Sequence, residues 1–371
     1  MFIPDTRVNV RLGSQKLKIA LRSMEAYSDT KLYRMGKIFD GRLVIPFMGI
    51  ADQDEGSPSE TEEGTYVSPS LRGYIIYDVA MQNFSISWHS FYNYTTHLNY
   101  AGRGLELSDL KVFDGKLLAA DDKTGVIFRL TKNLAIPKVI QADGSGFDNK
   151  KYVIKSLKAF KTEWMTIKNE ELYVGGYGKE YTDPKGNYLN DKPLWIKVVD
   201  RFGHLKHVYW GRQFKAIRGF LGINFPGYMI HESCQWSDIH QRWFFLPRRV
   251  SWEPYDEKMD QYRGSNYLIT TDETFTKFSY VRIGTVHPTR GFSAFQFIPS
   301  LKKYFFLMFV YFLDSNDQII VAFKSEEVEG WPLATYIMVF DIYGKVFIDE
   351  TKVPADLKLE GLEFFDWKLS E

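Results

Sequence analysis

One cysteine, Cys234, stands in 371 residues, so no internal disulfide can form and the fold must be held by its core. Seven scattered histidines and that lone thiol give no zinc site of usual spacing, and His231-Glu232 has no second histidine four residues after His231. Charge of one sign is missing too. Lys plus Arg, 47 residues, nearly cancels Asp plus Glu, 46, which leaves no field to draw in nucleic acid or an anionic membrane. A membrane helix needs about 20 apolar residues, and the run Tyr304–Leu313 stops at ten. The glycine-rich stretch Gly175-Gly176-Tyr177-Gly178-Lys179 lacks the spacing and the Ser/Thr of a P-loop, and neither a dinucleotide fingerprint nor a Gly-x-Ser-x-Gly elbow occurs. Met1–Ala20 carries Arg7, Arg11, Lys16 and Lys18 but no apolar segment of the kind a signal peptide needs, so none is expected there.

What is abundant is aromatic: 16% of residues, 23 of them Tyr and 29 Phe, a composition suited to half-buried pleated strands. Leu110–Phe113, a turn at Asp114-Gly115, Lys116–Ala120, a turn at Lys123-Thr124-Gly125 and Val126–Leu130 read as a meander. The cadence returns in Trp164–Ile167 with Leu172–Gly175, in Trp243–Leu246, in Ala294–Ile298 with Ile319–Phe323, and in Tyr336–Phe340 with Lys345–Ile348. Leu43–Ile50 and Gly73–Asp78 come first, split by an acidic loop over 52–65, and Gln213–Phe220 has helical spacing. The expected organisation is a basic leader over residues 1–30 and one domain over 31–371, interrupted by an insertion over 300–316.

A longer period runs through these strands. Ser108, Glu163, Glu232, Ser293 and Glu360 each stand at the mouth of an apolar run, at gaps of 55, 69, 61 and 67 residues. Blades of four short strands, about 40 to 60 residues each, give such a period. The expected fold class is therefore all-β, a five-bladed β-propeller, with one oxygen per blade aimed at a central ion. Taken singly, each is a turn or surface group. Together they argue for a shared cation, because a carboxylate next to Trp164 or beside Leu359 and Leu362 is costly to desolvate alone. A ring of carboxylates and hydroxyls selects a hard cation, Ca2+ above all. Asp52, Asp54 and Asp122 are candidates to orient or deprotonate water, Asp122 favoured because it follows a strand in the unit of Ser108. Lys179, Arg248 and Arg249 are candidates to grip phosphate, against the plainer reading of surface salt bridges. Trp164, Tyr177 and Trp236 read as core before they read as base-stacking platforms.

The stretches Gly102–Phe128, Glu163–Tyr181, Pro226–Arg249, His287–Pro299, Asp317–Glu327 and Glu360–Phe365 resemble the calcium-activated nucleotidase (apyrase) family, over about Tyr33 to Phe364. The resemblance implies a five-bladed propeller whose channel holds calcium, with ligands at Ser108, Asp109, Glu163, Glu232, Ser293 and Glu360. It also implies hydrolysis of nucleoside di- and triphosphates to orthophosphate, and a secreted protein or a resident of the secretory-pathway lumen. Asn83-Phe84-Ser85 and Asn93-Tyr94-Thr95, two glycosylation acceptor patterns, fit that route. Ser300–Asn316 departs from the family pattern, which runs from the proline of Phe-Ile-Pro almost directly into Asp-Gln-Ile-Ile. Association into a homodimer stays open. The rival reading is a non-catalytic propeller that uses calcium for rigidity and binds a sugar or a partner protein.

Overall fold

The computed structural model describes residues 37–39, 41–145, 158–299, 316–328 and 331–367. The expected leader, and the expected insertion apart from Asn316, lie outside the described residues. Among the described residues there are twenty-three strands and two short α-helices, so this part of the chain is mostly β-sheet, in line with its aromatic composition. The first sheet has nine strands. β1 (Lys37–Phe39), β2 (Arg42–Ala51), β3 (Tyr66–Asp78) and β4 (Asn83–Thr96) run antiparallel, followed by β5 (Leu107–Phe113), β6 (Lys116–Asp121), β7 (Val126–Thr131) and β8 (Leu134–Ile140). A single parallel pairing, Thr95 with Leu134, joins β4 to β8 and makes the two halves one sheet.

Two strands, β9 (Trp164–Lys168) and β10 (Glu171–Gly175), start the next unit. A side hairpin of β11 (Tyr181–Thr182) and β12 (Tyr188–Asn190) leaves it, and β13 (Trp195–Val199) and β14 (Leu205–Tyr209) complete a four-stranded sheet with β9 and β10. The helix Gly211–Phe220 follows, two residues longer at its start than its apolar spacing suggested. β15 (Tyr228–Ser237), β16 (Arg242–Ser251), β17 (Tyr267–Asp272) and β18 (Phe278–Arg282) form another sheet in chain order. So do β19 (Arg290–Phe297), β20 (Ile319–Val328), β21 (Trp331–Asp341) and β22 (Val346–Lys352). The last strand, β23 (Leu359–Glu363), returns to pair with β2, joining the end of the chain to its first sheet.

The opening strands of these units are neighbours: β5 lies against β9, β9 against β15, β15 against β19, β19 against β23, and β23 against β5. Apolar cores fill the gaps between sheets. Trp164, Trp210, Phe214, Trp236, Trp243 and Phe245 pack one of them, with Trp210 and Trp243 edge to face at 5.0 Å between ring centroids. Trp164 and Trp236, weighed as base-stacking platforms, thus belong to the core, where each buries apolar area worth a few kcal/mol.

Gly361 lets β23 seat closely. A Cβ there would stand 2.6 Å from Ile50 Cγ2 and 2.8 Å from the Asp109 Cα. Gly361→Ala is expected to cost about 1–3 kcal/mol by overpacking, read as a lower urea midpoint at unchanged slope. An unchanged midpoint would show that β23 is not held against β2 and β5 as described.

Candidate functional site

A cavity of about 750 Å³ lies by the starts of β9 and β23 and the ends of β2 and β20, lined mostly by polar side chains from widely separated segments. Asp52 and Asp54 come from the turn after β2, Lys161 and Glu163 from the approach to β9, and Glu232 from β15. Arg248 and Arg249 come from β16, Glu327 from β20, and Lys358 and Glu360 from the entry to β23. The short helix Glu257–Asp260 supplies one wall through Glu257, Lys258 and Asp260.

The strands reach the site by breaking their own regularity. The β5–β6 register slips at Ser108, the β19–β20 register at Ser293, and the β2–β23 register at Glu360. Glu232 lies in a similar slip of β15, and Arg248 is the extra residue where β16 passes Ile230 and His231. A bulge turns one side chain out of the strand's alternation and bends the strand, which is how a β-rich chain aims a functional group. Glu163 needs no bulge: it stands just before β9, with its N–H donating to Gly175 O at 2.8 Å.

Cations and carboxylates alternate around the cavity. Arg248 donates to Glu232, to Glu360 at 2.9 Å and to Glu327 at 2.8 Å. Lys358 Nζ lies 2.7 Å from Asp52, 2.6 Å from Asp54 and 3.4 Å from Glu360. Lys161 pairs with Asp122 and lies 3.2 Å from Glu163. A second acidic group adjoins the first: carboxylate oxygens of Asp52, Asp54 and Glu106 all lie within 4.8 Å of one another, with Arg103 donating to Glu106 at 2.6 and 2.7 Å.

These pairings leave the acids short of positive charge. Burial drives the Glu163 carboxyl up to about 8, against the pull of Lys161 and with the charge of Glu232 adding to the rise. Burial likewise lifts Glu360, with Asp52 and Glu232 adding to the rise, and it lifts Asp122. Asp52 behaves differently: burial opposes its ionisation, but Lys358, the Asp54 N–H and Lys161 together hold the carboxyl below its usual range.

The remaining expected ligands, Ser108, Asp109 and Ser293, are buried and are not among the residues lining the cavity. Ser108 Oγ has no hydrogen-bond partner. Asp109 accepts from the N–H groups of Leu110 at 2.7 Å and Met165 at 2.6 Å, and burial pushes it up to about 7. Ser293 donates to Leu359 O at 2.8 Å and accepts from Ser325. Asp122 keeps one oxygen, Oδ1, without a partner.

Lys179 stands apart. It is not among the residues lining the cavity, and its ammonium lies among tyrosine rings and donates to Thr182 Oγ1 at 3.1 Å. Arg249 does line the cavity, with looser partners than Arg248: Thr289 O at 3.5 Å and Asp260 at 3.9 Å. Sequence reasoning missed Lys161, Lys358, Glu106, Glu327 and Asp260. A signal existed for the first two, since Lys161-Thr162-Glu163 and Lys358-Leu359-Glu360 repeat a lysine two residues ahead of the carboxylate.

Lys358→Met leaves Asp52, Asp54 and Glu360 without their shared ammonium. Breaking a buried pair from one side costs ~3–5 kcal/mol, so the urea midpoint should fall, and adding Asp52→Asn should restore part of the loss. Equal midpoints for wild type and Lys358→Met would contradict the charge arrangement described.

The Apyrase family profile matches residues 53–365. Soluble calcium-activated nucleotidase 1 of Mus musculus is 41% identical over 357 residues, 96% of this chain and 81% of that protein. Apyrase apy-1 of Caenorhabditis elegans is 40% identical over 343 residues, 92% of this chain and 90% of that protein. An apyrase of Cimex lectularius is 37% identical over 318 residues, 85% of this chain and 81% of that protein. With the profile spanning most of its length and relatives 37–41% identical over 85–96% of it, the chain belongs to the apyrase family.

Proposed function

We propose that this chain is a calcium-dependent apyrase, hydrolysing nucleoside di- and triphosphates to release orthophosphate, built as a five-bladed β-propeller. The propeller reading is supported by the cyclic contact of β5, β9, β15, β19 and β23 and by the return of β23 to the first sheet. Activity on nucleotides is supported by the names of the relatives. The observation that carries the site is the convergence of Glu163, Glu232 and Glu360, from three separate sheets, on one cavity.

The residues present fit a calcium ion. The donors are all oxygen, the carboxyls of Glu163 and Glu360 are lifted by burial, and Ser108 keeps an orphaned hydroxyl. Asp109 and Ser293 retain lone pairs beyond the hydrogen bonds they make. Ser108, Asp109, Glu163, Glu232, Ser293 and Glu360 would hold the ion, which when bound supplies charge neutralisation and a template for phosphate oxygens.

The chain's own groups then divide the work. Arg249, loosely held at the cavity wall, takes the phosphate charge, while Arg248 is committed to three carboxylates and keeps the site assembled. Asp122 holds the attacking water through its unpartnered Oδ1, and Lys161 fixes the other oxygen. Asp52 and Asp54, tied to Lys358, set the position of that ammonium beside Glu360. The acceptor patterns at Asn83 and Asn93 lie on exposed positions of β4, which suits a protein of the secretory pathway.

Phosphate release from ADP, UDP and ATP should appear with calcium and vanish with a chelator, and Asp122→Asn should slow it by about 10²- to 10⁴-fold with calcium binding retained. Release unaffected by chelation would overturn the calcium role, and an unchanged rate in Asp122→Asn would remove Asp122 from the chemistry.

A further inference from the structure

Lys179 is buried yet has no carboxylate within ion-pair distance among the described residues. Its ammonium lies 4.2 Å from the ring centre of Tyr255, 5.7 Å from Tyr177 and 5.8 Å from Tyr228. Those rings come from three places: Tyr177 from the loop after β10, Tyr228 from the start of β15, and Tyr255 from the segment ahead of the helix Glu257–Asp260. A desolvated ammonium on tyrosine faces is attracted to each, and one charge can hold several rings. The loop carrying Lys179 is itself pinned. Tyr177 O accepts from His231 N–H at 2.9 Å, and a Cβ on Gly178, at φ +72°, would stand 2.6 Å from the Phe214 ring.

The cage leads to the cavity. Tyr228 packs on Tyr255 at 5.6 Å and donates its hydroxyl to Asp260 Oδ1 at 2.5 Å. Asp260 lines the cavity and lies 3.9 Å from Arg249. The same segment is tied to the β11–β12 hairpin, where Glu257 N–H donates to Pro184 O at 3.3 Å. Asp256 caps the helix by accepting from the N–H groups of Lys258 and Met259, both at 3.0 Å.

We infer that Lys179 is a positioning residue for the nucleotide cavity: its ammonium clamps Tyr255 and Tyr228, and through them holds the wall over residues 255–261 so that Asp260 aligns Arg249 toward the phosphate. The effect on substrate rests on the proposed nucleotide reading; the effect on the wall does not. The groups facing the ammonium are Asp260 and Glu180, which favour its charge, and the phenols of Tyr177, Tyr228 and Tyr255, all held neutral by burial. Burial outweighs the two acids and brings Lys179 down to about 8, so the clamp weakens as pH rises through that value.

The test compares wild type, Lys179→Met, Lys179→Arg and Tyr255→Leu in two ways. Amide hydrogen exchange over residues 255–262, measured in the full chain with neither calcium nor nucleotide, should quicken about tenfold in Lys179→Met and in Tyr255→Leu, as expected from losing one to two desolvated cation–π contacts. Joining the two substitutions should add little, since both remove the same contact. With ADP and calcium, Lys179→Met should raise KM by a similar factor while kcat stays within about twofold. The wild-type KM should climb above pH 8, the Lys179→Met KM should not, and Lys179→Arg should keep a low KM past pH 9. Wild-type exchange over 255–262 in Lys179→Met would overturn the inference whatever the substrate proves to be. A fall in kcat at unchanged KM would also overturn it, placing Lys179 on the reacting groups. If ADP is not hydrolysed by wild type, the substrate reading fails and the exchange result still decides the clamp.

Discussion

Arg248 reaches Glu232 on its own hairpin, Glu327 on β20 and Glu360 on β23, and so draws together residues of three sheets at one cavity. The constraint behind it is electrostatic. Carboxylates taken out of water are expensive to keep charged, and those of Glu163, Glu232 and Glu360 repel one another through a medium that screens poorly. Lys161, Arg248 and Lys358 offset part of that repulsion, each from a position adjoining the carboxylates it serves. The negative charge they leave over is what the proposed calcium site rests on.

Backbone irregularity delivers the groups. In a regular strand, side chains alternate between two faces, and neither direction points along the strand toward its mouth. Bulges at Ser108 on β5, Glu232 on β15, Ser293 on β19, Glu360 on β23 and Arg248 on β16 add one residue each and re-aim it. Close packing around the same strands fixes the aim. Gly361 admits β23 between Ile50 and Asp109, and the Trp164–Trp210–Trp243 cluster anchors the sheets that carry Glu163 and Glu232. The fold thus spends its regular pairing on rigidity and its irregularities on chemistry.

Much of this was readable in the residues. Strands with compact apolar runs, such as β6, β7, β9 and β10, are legible to within a residue of their observed limits, whereas β20, expected over Ile319–Phe323, runs on to Val328. β4, Asn83–Thr96, escaped because its polar face alternates Ser, His and Asn with aromatics, which weakens any apolar signal. Pro137 inside β8 argues against a strand by local rules, yet the strand is on the outside of its unit and its proline is exposed. Glu163, Glu232 and Glu360 are legible because each stands at the mouth of an apolar run, whereas Glu327 and Asp260, which line the same cavity, carry no such signal. Arg248 and Arg249 are legible too, but the lysines are not, since one such as Lys358 reads as surface until the fold surrounds it. Lys179 shows the converse: a lysine in a glycine-rich loop suggests phosphate contact, and only the packing of Tyr255, 76 positions on, shows its ammonium among rings.

The account stands on Glu163, Glu232 and Glu360 meeting at one cation. Calcium titration calorimetry on wild type and on Glu232→Gln tests it most directly. Wild type should bind a central calcium ion, and Glu232→Gln should bind it at least about tenfold more weakly, as expected when a charged ligand is lost. Equal affinity in the two proteins would contradict the shared site.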